Sequence, residues 1–302
     1  MDKEKNFISA VVYLHNCVEE VSPFFERLNH TLAEHFEKYE LIAVDDCCTD
    51  NTVSRLKEWA RELSTPLSIL HMSMYHGLED AMNAGVDAAI GDYVFEFDST
   101  QTPYSMDFVF SAYKESIEGY DIVCICPTHI RWSSKLFYKL FNANSRSMYR
   151  LQTDAFRVIT RRAINRVHAS NTYMPYRKAA YAASGLKMKY ITFDGKISSE
   201  QKQKFALAID SLALYTNAAS RISNVITALM MIIALLELVY TVVVYCNGHP
   251  IEGWTTMMLV MTFGFLGLFI VLSIVIRYLR LNLDLGFRKQ KYLIESIEKI
   301  QK

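Results

Sequence analysis

Two long apolar runs near the C-terminal end constrain the fold of this chain more than any other feature. They extend from about Ile222 to Cys246 and from Trp254 to Ile276. At about 1.5 Å per helical residue, each run reaches roughly 35 Å, which is enough to cross a hydrocarbon core of about 30 Å. Helices that stay apolar on every face for this length are rare in the cores of soluble proteins. The sequence therefore predicts transmembrane helices over 222–246 and 254–276.

The charges around these runs predict how the hairpin is oriented. The connector, 247–253, contains no Lys or Arg, whereas Arg221 precedes the first run. Five basic residues follow the second run: Arg277, Arg280, Arg288, Lys289 and Lys291. The positive-inside rule then places both termini and the large domain in the cytoplasm, with the hairpin in the inner (plasma) membrane. Because that compartment is reducing, the six cysteines, which lack CxxC spacing, are predicted to be free thiols.

One acidic residue interrupts the apolar pattern. Glu237 lies inside the first run, where a charge costs a few kcal/mol. It could be protonated, face the second helix or touch a polar lipid group. Over the whole chain, 32 basic and 32 acidic residues give a formal net charge of zero, so nothing indicates a nucleic-acid partner.

Before the apolar runs, short β-rich segments alternate with segments of helical spacing. The predicted strands are 7–14, 39–44, 67–72 and 92–98. The predicted helices are 18–36, a helix capped by Asp50, and 77–89. The first helix has an apolar face formed by Val21, Phe24, Phe25, Leu28 and Leu32. This alternation predicts an α/β fold with a doubly wound, mostly parallel sheet.

Carboxylates stand where two of these strands end. Asp45 and Asp46 close the second strand, and Asp98 closes the fourth. Ligands of open α/β sheets bind at the carboxyl ends of strands, where a carboxylate can accept hydrogen bonds from a nucleoside or hold a divalent cation. The alternative is that these are ordinary turn or capping residues. The chain lacks the GxGxxG and GxxxxGK[ST] patterns and zinc-type spacings.

A basic and aromatic stretch from Arg131 to Arg150 follows the predicted strands, opening with "HIRW" (129–132). Two interpretations stay open for it. It could be an amphipathic helix on the protein surface, or a helix that rests on the membrane interface, where Trp, Tyr and basic residues are favoured.

Several motifs resemble a known family. The segment "VDDCCTDNT" (44–52) resembles the VDDGSTDxT motif of family 2 glycosyltransferases with a GT-A fold, and 77–99 resembles the stretch that ends in their DxD motif. The segment "DAFRVITRRAI" (154–164) resembles the FRLxxR segment of the polyprenyl-phosphate branch. The terminal hairpin, followed by "IRYLR" and "RKQKYLI", resembles the ends of bactoprenol glucosyltransferases and undecaprenyl-phosphate sugar transferases. The resemblance covers nearly the whole chain.

This resemblance implies a domain organisation and an activity. A GT-A domain over 1–205 would lead through a membrane-proximal helix, 206–221, to the two transmembrane helices, and the chain would end in a cytoplasmic amphipathic tail, 277–302. The connector 247–253 would be an external loop. The implied enzyme moves a sugar from a nucleotide sugar to a polyprenyl phosphate at the cytoplasmic face of the membrane.

The resemblance also implies roles for individual residues. Asp45 and Asp46, with Asn16 and Gly77, would bind the nucleotide. Asp98 would hold Mg²⁺ or Mn²⁺ at the DxD position, where the metal offsets charge on the departing diphosphate. The implied catalytic residues are Asp98, Asp154 and Arg157. The acceptor phosphate would be held by the basic side chains of Arg131, Arg161 and Arg162.

The chain also departs from the family motifs. Where the family has PxYNE, this chain has "YLHNCVEE", which keeps only the asparagine, Asn16. Where the family has RNxG, it has "MYHG", which keeps the glycine, Gly77. DxD is Asp98-Ser99-Thr100, unless Glu96 and Asp98, which strand alternation puts on one face, form the pair. RxxGxSKY is replaced by "FDGKISSEQKQKF". These losses keep open an alternative function, that of a catalytically degenerate relative that binds a nucleotide or scaffolds another membrane protein. The protein could also associate with further copies of itself as a homo-oligomer.

Overall fold

The structure, a computed structural model, describes most of the chain. The described residues are 3–61, 66–130, 132–144, 149–170, 176–196, 218–248, 252–286 and 292–300. They belong to two compact units. One unit comprises Met1–Ser211 together with Phe287–Lys302, and the other comprises Leu212–Gly286.

The larger unit is built on an eight-stranded sheet with the spatial order β7-β5-β6-β4-β1-β2-β3-β8. The strands are β1 Ile8–Leu14, β2 Tyr39–Asp45, β3 Leu67–Met72, β4 Tyr93–Phe97, β5 Ile122–Pro127, β6 Phe156–Thr160, β7 Met188–Phe193 and β8 Ile294–Ile300. Strand β6 is antiparallel to β4 and β5, and β8 is antiparallel to β3, whereas the other pairs are parallel. The predicted doubly wound, mostly parallel sheet is confirmed.

Helices cover both faces of this sheet, as a doubly wound fold requires. They are α1 Val21–His35, α2 Thr52–Ala60, α3 Leu78–Ala88, α4 Asp107–Ile117, α5 Trp132–Asn144, α6 Arg161–Ser170 and α7 Arg177–Ala183. All five residues of the apolar face predicted for α1 are buried. The residue that flanks the start of α2 is Asn51, one position after the predicted cap, although the Asp50 carboxylate accepts a 3.0 Å hydrogen bond from the Thr52 N–H.

Close packing brings α3 down onto the sheet. A Cβ atom on Gly85 would lie 2.5 Å from Val11 Cγ1 and 2.6 Å from Val44 Cγ2, so only glycine allows this approach to β1 and β2. On the other face, the aromatic rings of Phe24 and Phe97 meet edge to face at 5.3 Å, which adds to their burial energy. Close packing therefore fixes both faces of the sheet below the edge at which β1, β2 and β4 end.

The topology decides which residues share that edge. The ends of β2 and β4 lie there, which brings Asp45, Asp46 and Asp98 to one side of the sheet. Because β6 is antiparallel to β4, the start of β6 lies at the same edge, next to Asp154. The end of β6, where Arg161 begins α6, lies at the opposite edge.

The C-terminal end of the chain returns to the sheet as strand β8. The predicted amphipathic tail, 277–302, instead continues as helix to Gly286, and Ile294–Ile300 pairs with β3. Just before this strand, the Leu293 N–H donates a 3.1 Å hydrogen bond to His76 Nε2. The isoleucines of "IESIEKI" recur every third residue and not every second, and five of its seven residues are exposed, so the pairing with β3 and not an alternating pattern defines this edge strand.

The smaller unit contains two long helices, α8 Ala218–Asn247 and α9 Trp254–Gly286. Within them, Val225–Asn247 and Trp254–Ile276 are each 23 residues long and have mean hydropathies of 2.4 and 2.7. Most of their apolar side chains are exposed, whereas the buried ones are small: Thr227, Ala234, Thr241 and Thr262. Small residues at the helix contact and apolar residues outside are typical of membrane helices. Residues 206–217 of the predicted membrane-proximal helix lie outside the described residues.

Candidate active site

Asp46 organises the loop between β3 and α3. Its side chain is fully buried and accepts hydrogen bonds from the His76 N–H at 2.7 Å and the Gly77 N–H at 2.8 Å. The Tyr13 hydroxyl donates a third, at 2.9 Å. Gly77 has φ 83°, a conformation that other residues adopt only with strain, so the glycine retained at this position has a backbone reason. The structure therefore joins two predicted nucleotide-side residues, Asp46 and Gly77.

Asp45 is held by a different set of donors. Its carboxylate accepts a 2.9 Å hydrogen bond from the Cys48 N–H and contacts His71 Nδ1 at 2.8 Å. His71 Nε2 in turn lies 3.4 Å from Glu298 on β8. Asp45 is thus tied to a strand that lies more than 200 residues further along the chain.

Asn16 lies beside the same turn. With φ 49°, it directs its side-chain oxygen to the Thr49 N–H at 2.8 Å, which joins the end of β1 to the turn after β2. Cys47, in that turn, also has a positive φ, of 53°. All six cysteines are free, as their spacing predicts, and burial raises the pKa of the Cys48 thiol, which works against its acting as a thiolate.

A second group of charged side chains, which we call the acid–arginine cluster, lies next to the end of β4. Its members come from α3, β4, the start of β6 and α7: Glu79, Glu96, Asp98, Asp154, Arg157, Arg177 and Lys178. Their side chains are almost completely buried, since the most exposed of them, those of Asp98 and Lys178, are 14% exposed. Four carboxylates therefore share three cations in the interior of the domain.

Arg157 uses all three of its side-chain nitrogens in this cluster. Strand register places Arg157 directly opposite Glu96, and Nη1 donates to the Glu96 carboxylate at 2.5 Å. Nε donates to Asp154 at 3.0 Å, and Nη2 donates to Asp98 Oδ2. The residue that the FRLxxR resemblance singled out is thus the link between the end of β4 and the start of β6.

Arg177 repeats this arrangement from the first turn of α7. Its Nη1 donates to Glu96 at 2.6 Å, its Nη2 to Asp98 Oδ1 at 2.8 Å, and its Nε to Glu79 at 3.0 Å. The two arginines therefore bracket Asp98, with one guanidinium on each carboxylate oxygen. The planar fork of donors in a guanidinium group allows one arginine to serve three carboxylates in this way.

Two further side chains, Tyr181 and Lys178, contact the carboxylates of the cluster. The Tyr181 hydroxyl donates to Glu96 Oε1 at 2.5 Å, and the Lys178 ammonium pairs with Asp154. Burial alone would raise the pKa of Asp98, but the charges of Arg157 and Arg177 outweigh it and hold that pKa below its usual range. Burial likewise opposes ionisation of Asp154, and Arg157 and Lys178 reverse the effect. Both carboxylates are therefore ionised at neutral pH.

The predicted acceptor-phosphate residues lie away from this cluster. Arg161 donates to the carbonyl oxygens of Ala89 at 2.7 Å and of Gly91 at 2.8 Å, and Arg162 pairs with Asp121 at 2.6 Å. These contacts lie at the opposite edge of the sheet from Asp98. Arg131 lies outside the described residues. The structure does not bring Arg161 or Arg162 to the acid–arginine cluster, so their predicted role gains no support from their placement.

Comparison with known proteins decides the family. The model of the family described as "Glycosyl transferase family 2" matches residues 9–184, which is more than half of the chain and spans β1 to α7. The chain belongs to glycosyltransferase family 2. The matched residues include both the strand-end carboxylates and the acid–arginine cluster.

Curated relatives of this glycosyltransferase align along most of its length. An undecaprenyl-phosphate 4-deoxy-4-formamido-L-arabinose transferase of Proteus mirabilis is 25% identical over 98% of this chain and 95% of its own. An uncharacterised glycosyltransferase of Synechocystis is 24% identical over 85% of this chain and 84% of its own. The alignment with the Proteus mirabilis transferase covers nearly the whole chain and therefore includes the two apolar helices, and the chain is a membrane glycosyltransferase.

Solved structures confirm the GT-A fold. A glucosyl-3-phosphoglycerate synthase of Mycobacterium tuberculosis, solved with Mn²⁺ and UDP-glucose, has a TM-score of 0.52 at 14% identity, covering 69% of this chain and 78% of its own. A mannosyltransferase of Pyrobaculum calidifontis, solved with GDP-mannose and Mn²⁺, has a TM-score of 0.50 at 13% identity, covering 86% and 70%. Divalent metal thus occurs in this fold.

The residues around Asp98 do not fit such a metal. Both Asp98 oxygens already accept hydrogen bonds from guanidinium groups, and a cation bound there would lie next to two positive charges. The next two residues, Ser99 and Thr100, supply no carboxylate. Among the residues that the structure describes, no group of three His, Cys, Asp or Glu side chains could hold a metal ion.

Reasoning from the sequence missed three members of the cluster, Glu79, Arg177 and Lys178, and also Tyr181, whose hydroxyl donates to Glu96. Glu96 was considered only as part of an alternative DxD pair, and its predicted shared face with Asp98 is confirmed by their common partners. One signal was available for Arg177. It opens "RKAAYAA", a short alanine-rich segment in which Arg177 and Lys178 are the only charged residues.

Proposed function

We propose that this glycosyltransferase transfers a sugar from a nucleoside diphosphate sugar to the phosphate of a polyprenol. The observation that carries the proposal is the alignment with the Proteus mirabilis transferase, which acts on undecaprenyl phosphate by its name and which matches across nearly the whole chain. A dodecaprenyl-phosphate galacturonate synthase of Rhizobium johnstonii is 31% identical over 30% of this chain and supports the same acceptor class. Neither relative supports the scaffolding alternative.

The donor would bind at the carboxyl ends of β1 to β4. Asp45, Asp46, Asn16 and Gly77 frame that surface, and we propose that they bind the nucleoside, directly or through the loops they hold. Support comes from the shared GT-A fold and from the bound UDP-glucose and GDP-mannose of the two solved neighbours.

The reaction requires one bond to form and one to break. A phosphate oxygen of the polyprenyl phosphate attacks the anomeric carbon of the sugar, the bond to the donor diphosphate breaks, and the nucleoside diphosphate leaves. A phosphate is already ionised at neutral pH, so this nucleophile needs no general base. We propose that Asp154 and Arg157 act on the acceptor side of the site and that the charge of Arg131 contributes to binding the acceptor phosphate.

The proposed location is the cytoplasmic face of the plasma membrane. The basic residues that flank the two apolar runs support this orientation, because Lys and Arg are enriched on the cytoplasmic side of membrane helices.

Synthesis of a lipid-linked sugar tests the proposal. The full chain, purified in detergent, is incubated with undecaprenyl phosphate and a panel of UDP-, GDP- and CDP-sugars, and products are separated and identified by mass spectrometry. We expect one donor class to give a glycosyl phosphoryl lipid, and Asp154→Asn to slow its formation by at least about tenfold. The matched control is Asp107→Asn, an exposed aspartate whose carboxylate contacts Ser105. Absence of a lipid-linked product with every donor would contradict the proposal.

A further inference from the structure

We infer that Asp98 is a positioning residue for the arginine pair and that this chain binds its nucleoside diphosphate without a divalent cation on Asp98. The inference rests on the proposed function, since it concerns how the same site takes its donor. It departs from the metal site that the DxD resemblance implies. Three features of the cluster carry it.

The first feature is the way the carboxylate is used. Arg157 Nη2 and Arg177 Nη2 approach different oxygens of Asp98, and each guanidinium is anchored elsewhere by two further carboxylates. Mg²⁺ and Mn²⁺ sites are built from oxygen ligands, and here each oxygen of Asp98 already accepts from a guanidinium group, so a cation on Asp98 would lie directly beside two positive charges.

The second feature is burial. The side chains of Arg157 and Arg177 are 1% and 0% exposed, so neither can turn outward to release Asp98 without opening the interior. If Asp98 left the pair for a metal, the arginines would lose part of their compensation in a low-dielectric environment, where unpaired charges are costly. The arrangement is therefore a built ion-pair network and not a loose surface contact.

The third feature is the lack of further free carboxylate ligands among the residues that the structure describes. The nearest other carboxylates, Glu96 and Asp154, are themselves occupied by Arg157, by Arg177 or by Lys178. Thr100 stands where a second acid would complete a DxD pair, and it is buried. Of the carboxylates in the described part of the chain, Asp98 would therefore be left to hold a cation together with the donor phosphates.

Nucleotide binding with and without metal tests the inference. UDP, GDP and CDP are titrated into the purified full chain by isothermal calorimetry, in EDTA and in Mn²⁺. For whichever nucleotide binds, we expect the Kd in EDTA to lie within about threefold of that in Mn²⁺, whereas a loss of about tenfold or more in EDTA would overturn the inference.

A second measurement follows the metal directly. Mn²⁺ is titrated into wild type, Asp98→Asn and Asp107→Asn and the free ion is quantified by its electron paramagnetic resonance signal, with and without nucleotide. Equal Mn²⁺ binding by all three proteins supports the inference. A bound Mn²⁺ that is lost only in Asp98→Asn overturns it. Should Asp98→Asn fail to fold, the EDTA comparison on wild type decides alone.

The outcomes separate the inference from the proposed function. Binding of a nucleotide only when Mn²⁺ is present leaves the proposed function intact and removes the inference. If no nucleotide binds in either condition, the proposed nucleotide site is contradicted, and the Mn²⁺ titration then decides whether Asp98 is a metal ligand.

Discussion

Two groups of carboxylates lie at the same edge of the sheet and are held in opposite ways. Asp46, at the end of β2, is held by backbone N–H groups and a tyrosine hydroxyl, which are neutral donors. Asp98, at the end of β4, is held by two guanidinium groups. In the first arrangement no cationic side chain among the described residues pairs with Asp46, and its carboxylate fixes the loop between β3 and α3 through hydrogen bonds. In the second arrangement Arg157 and Arg177 compensate the charge of Asp98, so the stability of the domain depends on these two buried arginines.

This difference explains why similar strand-end motifs need not share a role. A carboxylate that accepts backbone hydrogen bonds fixes where the N-terminal end of α3 begins, and hence the surface next to it. A carboxylate between arginines contributes to the interior and presents little charge to a ligand. The two regions should therefore respond differently when one partner is removed.

The largest effect is expected from Arg177→Met. Removing this cation leaves Glu79, Glu96 and Asp98 with too little positive charge in a buried site, which should cost about 3–5 kcal/mol in the free energy of unfolding. The loss is measured as a lower denaturation midpoint of the purified protein. The control is Arg55→Met, whose exposed pair with Glu58 at 3.7 Å should contribute less than about 1 kcal/mol. Equal midpoints for the two variants would show that the cluster does not stabilise the domain.

A smaller loss of stability is expected from substitution of Asp46, whose carboxylate is held by neutral donors. Asp46→Asn keeps the shape but turns an amide N–H₂ toward the N–H groups of His76 or Gly77, and a buried donor without an acceptor costs about 1–3 kcal/mol. Hydrogen exchange at those two backbone amides should accelerate while that of the residues around Arg157 stays unchanged. Asp107→Asn is the control. Faster exchange at both sites would mean that the two regions unfold together.

The position of the strand-end carboxylates can be predicted from the local sequence pattern. Apolar runs such as "LIAV" stop at Asp45 because a buried strand cannot continue through two carboxylates, so the position of these acids at a strand end is predictable. The buried face of α1 is predictable for the same reason, since its apolar spacing admits one helix orientation.

The acid–arginine cluster could not be predicted in this way. Glu96 and Arg177 lie 81 positions apart and Glu79 and Arg177 lie 98 apart, so no local period relates them. Strand β8 is a similar case, because it joins β3 after the two long helices and its seven residues carry four charged or polar side chains. Both features depend on tertiary pairing, which spacing along the chain does not reveal.

The acid–arginine cluster should lose its contribution to stability at acidic pH and keep it at neutral pH. Asp98 and Asp154 have pKa values below their usual range in the folded protein, so their contribution is present above the unfolded-state pKa of about 4 and is lost as the pH falls through the lowered values. We expect the melting temperature of wild type to drop below about pH 4 and that of Asp98→Asn to drop less steeply. Parallel curves for the two proteins would contradict the ion-pair account.

The smallest effect is expected at a third kind of carboxylate, Glu298 on the edge strand β8. It contacts Lys57 at 2.6 Å and is 43% exposed, so Glu298→Gln should cost less than about 1 kcal/mol, and salt of about 1 M should remove most of that difference. Glu295→Gln, exposed on the same strand, is the control. Because backbone pairing with β3 holds β8 independently of this side chain, the strand should persist in the variant. A loss as large as that of Arg177→Met would show that position in the sheet, and not burial of the charge, ranks these carboxylates.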